Sequence, residues 1–136
     1  MSELIPLTFS KIMQSRAYTV IILGTESKKF AIYTDPQVGH HLQIHLAQGQ
    51  HRRPYTYELL DSVLKGLGAK PLQVVINDVE DTIYYARLFL EQNEGAKKTI
   101  LEIDARPSDC ITLAIIYKIP IFSTKEALEK AVAVED

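Results

Sequence analysis

The chain has 136 residues, 46% apolar and 24% charged, with a net charge of −2 and a pI near 6.1. That is enough for one domain with a real core, and it excludes a disordered or fibrous protein. The near-neutral balance, with no basic tail, argues against tight non-specific nucleic-acid binding while leaving room for brief contact by an enzyme.

Cys110 is the single cysteine, so no internal disulfide can form and a reducing compartment is expected. The first ten residues hold no basic segment followed by an apolar core, so no signal peptide is read. No apolar run reaches the ~20 residues of a membrane span. The expectation is a cytoplasmic protein with no membrane partner.

In chain order, residues 4–13 and 17–23 are rich in β-branched and apolar residues and predict two strands. Residues 24–29 are a turn, and 30–33 resume as a strand, giving a small antiparallel meander. Asp35-Pro36 then switches the period. Asp is a good N-cap and Pro suits the first helical position. Val38, Leu42 and Leu46 recur at helical spacing, with His41 and His45 on one side. Residues 49–54 are a polar connector with His51, Arg52 and Arg53. Thr56 is the expected cap of a second helix, whose stripe Leu59, Leu60, Val63, Leu64 and Leu67 is read as core-facing, with Gly68 as its stop.

Three strands with short links follow at 72–76, 83–90 and 98–104, joined by an acidic turn at 78–81 and a second turn at 93–95. Residues 108–117 are apolar almost all round, which predicts a helix buried on several sides. Residues 119–122 form a short strand. Ser123 to Glu126 carries a capping-box pattern that opens a last helix from 124 to about 132, with 132–136 frayed. The whole is one α+β domain over residues 1–136, a mainly antiparallel sheet packed with about four helices.

The chemistry concentrates at Asp104-Ala-Arg-Pro-Ser-Asp109, where a strand turns into a helix. Asp104 and Asp109 could hold a divalent cation through oxygen ligands, and Arg106 could grip phosphate with its fork. Amides at a helix start favour an anion. The structural alternative is equally coherent: Ser108 caps the helix, Asp109 complements its dipole, and Arg106 pairs with either carboxylate. His41 and His45 have the spacing of helical zinc ligands, yet Leu42 stands where a catalytic zinc motif places its Glu. Arg52, Arg53, Tyr55 and Tyr57 could serve a nucleic-acid strand or form a solvated turn with tyrosine lids. Tyr84 and Tyr85 fall one on each face of their strand. Cys110 lies in an apolar helix, where a thiol is inert.

Several segments together resemble the bifunctional nuclease family: Arg53-Pro-Tyr-Thr-Tyr-Glu-Leu-Leu60, Leu67-Gly-Ala69, Val74-Val-Ile76, Tyr85-Ala-Arg87, Asp104-Ala-Arg-Pro-Ser-Asp-Cys110 and Pro120-Ile121. The resemblance covers residues 4–122 and is sharpest from Arg53 onward. It implies a compact α+β domain, a homodimer or higher homo-oligomer, and DNase and RNase activity. The family usually shows Arg-Pro-x-Thr-His-Asp; here Tyr57 and Glu58 take the last two places, Val38-Gly39 replaces an expected Glu-Ala pair, and Cys110 replaces the final Ala. Tyrosine titrates near ~10, so Tyr57 does not replace a histidine base at neutral pH without a large shift.

Corner and resemblance together give the leading expectation, a metal-assisted hydrolase of phosphodiester bonds in DNA or RNA. Asp104 and Asp109, with Glu58 as an added carboxylate, would bind Mg2+ or Mn2+. Arg106 and Arg53 would bind phosphate, and Ser108 and Tyr57 would contact substrate. The rival is a non-catalytic oligomeric binding or regulatory module in which the same corner is a structural lock.

Overall fold

The computed structural model describes residues 3–46 and 56–134. Among the described residues, seven strands form one sheet in the order β3-β2-β1-β7-β4-β5-β6, with four helices. The strands are β1 (Leu4–Gln14), β2 (Thr19–Gly24), β3 (Lys29–Thr34), β4 (Ala69–Glu80), β5 (Ile83–Glu94), β6 (Lys97–Ala105) and β7 (Ile121–Thr124). The helices are α1 (Pro36–Leu46), α2 (Thr56–Gly66), α3 (Pro107–Tyr117) and α4 (Lys125–Lys130). Every pairing is antiparallel except β4 with β7. The fold is therefore α+β, as expected. No described helix is long and apolar enough to cross a membrane.

Two meanders, β1–β3 and β4–β6, are joined through β7, which slots between β1 and β4. The chain reaches β7 through α3, which leaves the β6 edge and returns across β5 and β4. That route explains α3's composition. Ser108 and the run from Cys110 to Ala114 are buried, against the core faces of β4 and β5 on one side and β3 on another. Its end is sharp: Lys118 adopts the left-handed conformation (φ 55°), and Ile119 N donates to the Ala114 carbonyl at 3.0 Å.

Several boundaries differ from the sequence expectation for local reasons. β4 runs to Glu80, so the acidic turn shrinks to Asp81-Thr82, both at positive φ (49° and 69°), as a two-residue hairpin turn requires. The next turn is Gly95-Ala96, with β5 continuing to Glu94. α3 is capped by the backbone of Arg106 rather than by Ser108, because Pro107 at the first helical position fixes the start one residue earlier. α4 is capped by Thr124, not Ser123: the Thr124 hydroxyl accepts from Ala127 N at 3.1 Å, and Ser123 stays in β7.

α2 departs most from expectation. Leu64 is buried and Leu60 half-buried, but Leu59, Val63 and Leu67 are 60%, 48% and 58% exposed. The stripe is wider than the sheet beneath it covers. α1 is packed tightly by contrast. A Cβ at Gly39 would lie 2.3 Å from Thr19 Oγ1 on β2, so only glycine lets the helix approach this close.

Candidate functional site

The corner between β6 and α3 builds the site. Arg106 is extended (φ −64°, ψ 141°), Pro107 starts the helix, and Asp109 falls in the first turn. Asp109 reaches back over that turn to Arg106. Nε–Oδ2 is 2.9 Å and Nη2–Oδ1 is 3.1 Å, a bidentate fork that fixes the guanidinium plane. Tyr57, in the first turn of α2, donates its hydroxyl to Asp109 Oδ1 at 2.7 Å. Arg106 Nη1 lies 3.3 Å from Asp35 Oδ2 at the β3–α1 junction. The other oxygen of Asp35 accepts from Val38 N at 3.1 Å, so Asp35 caps α1 and holds Arg106 at once.

The electrostatics follow from these contacts. Asp109's hydrogen bonds push the Arg106 guanidinium up, keeping it charged. Burial, then the Asp109 carboxylate, raises the Tyr57 phenol, so Tyr57 is a donor and not a base at neutral pH. The Val38 amide, together with Arg106, holds Asp35 below the usual carboxylate range despite a small opposing desolvation. Two carboxylates against one guanidinium leave the cluster one negative charge.

This network rims a cleft of about 590 Å³ with apolar walls that include Leu60, Leu64, Leu88, Leu90 and Ile103. His41 also lines it, its ring 6.1 Å from that of Tyr57 at a steep angle. A second cavity, of about 760 Å³, lies along β3 and the β4–β5 turn; Arg106 and Asp35 line both cavities.

The structure places the expected site residues unequally. Arg106, Asp109 and Tyr57 come together. Asp104 does not join them. It pairs with Arg87 in the β5–β6 ladder, while its neighbours Ile103 and Ala105 line the cleft, so alternation turns Asp104 to the opposite face of the sheet. The polar face of β6 thus leads away from the cleft. Glu58 is exposed in the first turn of α2, where a carboxylate suits the helix dipole. Ser108 is 3% exposed and borders the second cavity. Arg53, with His51, Arg52 and Tyr55, lies outside the described residues, as does the side chain of His45.

The donors do not fit a Mg2+ or Mn2+ clamp. Both oxygens of Asp109 are engaged by Arg106 and Tyr57, and Asp104 is on the other face. Among the described residues no three His, Cys, Asp or Glu side chains converge on a point that could hold a metal. Cys110 is fully buried, and burial, then the charges of Asp109 and Asp104, pushes its thiol up to about 12, which suits no nucleophile.

Sequence reasoning missed two members. Asp35 was legible as a cap but not as the partner of a residue 71 positions later. His41 was weighed as a zinc ligand or as a polar shoulder of its helix, not as a cleft residue, although its place on α1 beside Val38 and Leu42 is an inward-facing one.

Two curated relatives align over 79 residues at 29% identity: "Uncharacterized protein MT1877" of Mycobacterium tuberculosis (strain CDC 1551 / Oshkosh) and "Uncharacterized protein Rv1829" of strain ATCC 25618 / H37Rv. The aligned part is 58% of this chain and 44% of each relative, so the chain spans less than half the length of the curated relatives it matches. A family model described as the bifunctional nuclease domain matches residues 20–136, from β2 to the end of the chain, and the chain belongs to that family.

Proposed function

We propose that this chain is a nuclease-type phosphodiesterase that engages DNA or RNA at the Arg106 cleft. The observation that supports it is the state of the Arg106 fork. Asp109 holds one edge of the guanidinium at 2.9 and 3.1 Å, while Nη1 reaches only Asp35, across 3.3 Å, with side chains 58% and 47% exposed. An exposed pair of that kind is worth under ~1 kcal/mol. A phosphate oxygen can therefore take the place of Asp35 on a guanidinium already oriented for it. The apolar walls accept a sugar or base face. Asp109 positions Arg106, Tyr57 positions Asp109, and His41 is the cleft group of the right type to move a proton. The proposal assigns no step to Mg2+ or Mn2+, because the described carboxylates do not pair to receive one.

A specific observation favours a second reading, a non-catalytic module. The same network ties the β3–α1 junction, α2 and α3 together through Asp35, Tyr57 and Asp109. On that reading the corner is a lock and Arg106 contributes stability alone.

Cleavage of single-stranded DNA and RNA, with Mg2+, with Mn2+ and with EDTA, separates the two when read beside thermal melting. Arg106→Gln should lower cleavage by about 100-fold, the scale for losing an electrostatic stabiliser, with a modest drop in Tm. Cleavage equal to wild type, or none in either protein beside a clear loss of Tm, would favour the lock.

A further inference from the structure

Arg106 and Asp35 stand between two cavities, and the function proposed above uses only one of them. The second, of about 760 Å³, falls within the ~300–1,000 Å³ range of small-molecule sites. Among the described residues that line it, Asp35 and Arg106 carry the only charges. The remaining walls are apolar or hydroxylic, with Val79 and Ile83 beside Thr34, Thr82 and Ser108. Such walls suit an uncharged group with hydroxyls and disfavour a second phosphate.

Two features narrow the class. Tyr84 lines the cavity, and its ring stacks on Phe30 at 5.2 Å and 14°. Phe30 is fully buried and does not line the cavity, so it backs the Tyr84 ring from the core side. A fixed aromatic ring of this kind is a stacking platform for a nucleobase. The second feature is the edge of β3. β3 pairs with β2 alone, without a register shift, and Val134 N donates to the Lys29 carbonyl at 2.8 Å on the open side. Alternation then turns the N–H and C=O of Ala31 and Tyr33 to that same side, where both residues line the cavity. No described strand pairs with them. Neighbouring backbone donors and acceptors match those on the edge of a base.

We propose that the second cavity is a nucleoside subsite, so that one phosphodiester at Arg106 has its two nucleosides in the two cavities. The proposal rests on the reading of Arg106 as the phosphate-binding group. A phosphate oxygen that replaces Asp35 on Nη1 lies at the divide, and the two ester oxygens then lead to opposite sides. On the second side the base stacks on Tyr84 and bonds to the β3 edge. The preferred phosphate is therefore internal to a strand, since a terminal one fills a single side.

An NMR titration of the full chain with a deoxyadenosine dinucleoside monophosphate tests this. The Arg106 Nε signal and the Ala31 and Tyr33 amides should shift together, with one affinity. Tyr84→Leu removes the ring and keeps Phe30 covered, while Ala31→Leu narrows the cavity. Each should weaken binding about tenfold, the scale of one base stack, with the amide spectrum verifying the fold. Shifts at Arg106 and His41 with none at Ala31 and Tyr33, or full affinity in both folded variants, overturn the subsite and leave the reading of Arg106 in place. Shifts at Ala31 and Tyr33 alone overturn the spanning arrangement. No shift anywhere, with a longer single strand as well, removes the reading of Arg106 along with the subsite.

Discussion

Two charged clusters on opposite faces of the sheet have inverted compositions: one cation between two anions at Arg106, one anion between two cations at Glu91. Glu91 takes Lys70 at 3.3 Å and Lys98 at 2.6 Å, and its side chain is 8% exposed. Both lysines come from adjacent strands of the same meander, and Lys70 is its direct cross-strand partner. Arg106 is 58% exposed and draws Asp35 from before α1 and, through Asp109, Tyr57 from α2. The Glu91 cluster is short-range and closed by its own lysine arms, so it stabilises a sheet face and offers nothing to a ligand. The Arg106 cluster is long-range, opens on a cleft, and has one weak contact to exchange. Charge pairing alone does not mark a site; a reachable, exchangeable partner does.

The sharpest way to break this contrast is to loosen each centre in turn. Asp109→Asn removes the carboxylate that orients Arg106 and should lower kcat/KM on oligonucleotides by about 100-fold, the scale of a misplaced binding group. Glu91→Gln should leave kcat/KM unchanged and lower Tm slightly. Equal kinetic losses in both would show that the clusters differ only in position.

Tyr57→His comes next in size. It keeps a hydrogen bond to Asp109 within reach and supplies a group that titrates near ~6.5, so cleavage should rise about tenfold and gain a pH inflection near neutrality. A flat pH profile with lower activity would mean that Tyr57 is there for packing.

Asp35→Asn has a smaller, two-part effect. It frees Nη1, so oligonucleotide affinity should rise about threefold at low salt. Asp35 is held below its ordinary value of 3.8, chiefly by the Val38 amide and then by Arg106. Its stabilising contribution is therefore complete above that value and is lost as pH falls through the lower, folded value. The variant should flatten the acid side of the stability curve in urea unfolding below about pH 4. A curve parallel to wild type there would remove Asp35 from the network.

The smallest effect is a control on the buried side of the corner. With its thiol pushed up to about 12, Cys110 is ionised on the order of 1 part in 10,000 at pH 8, so native protein should not react with a thiol reagent until it unfolds. Rapid labelling would mean that α3 opens locally.

Much of the fold was legible because its signals are local. The Asp35 cap, the Gly68 stop at φ 68° and the all-round apolar α3 read directly from spacing. The parallel β4–β7 pairing was not, since nothing near Ile121 says which strand it joins. The Arg106–Asp109 fork was visible as an i,i+3 pair. Its outer partners were not, because Asp35 and Tyr57 lie 71 residues from Arg106 and 52 from Asp109 and meet them only in the folded chain. Asp104 was placed with Asp109 because both flank Arg106 in the sequence, but the cleft formed on the apolar face of β6, where the helices pack, and alternation turns Asp104 to the other face. The width of the α2 stripe suggested core, although a wide stripe fits an interface equally well.

Binding of a labelled single-stranded oligonucleotide at low salt, by fluorescence anisotropy, to wild type, Arg106→Gln and Glu91→Gln tests the assignment of Arg106 most directly. A loss of at least tenfold in Arg106→Gln alone, with all three proteins folded, is the expected result. Equal affinity in wild type and Arg106→Gln would contradict it.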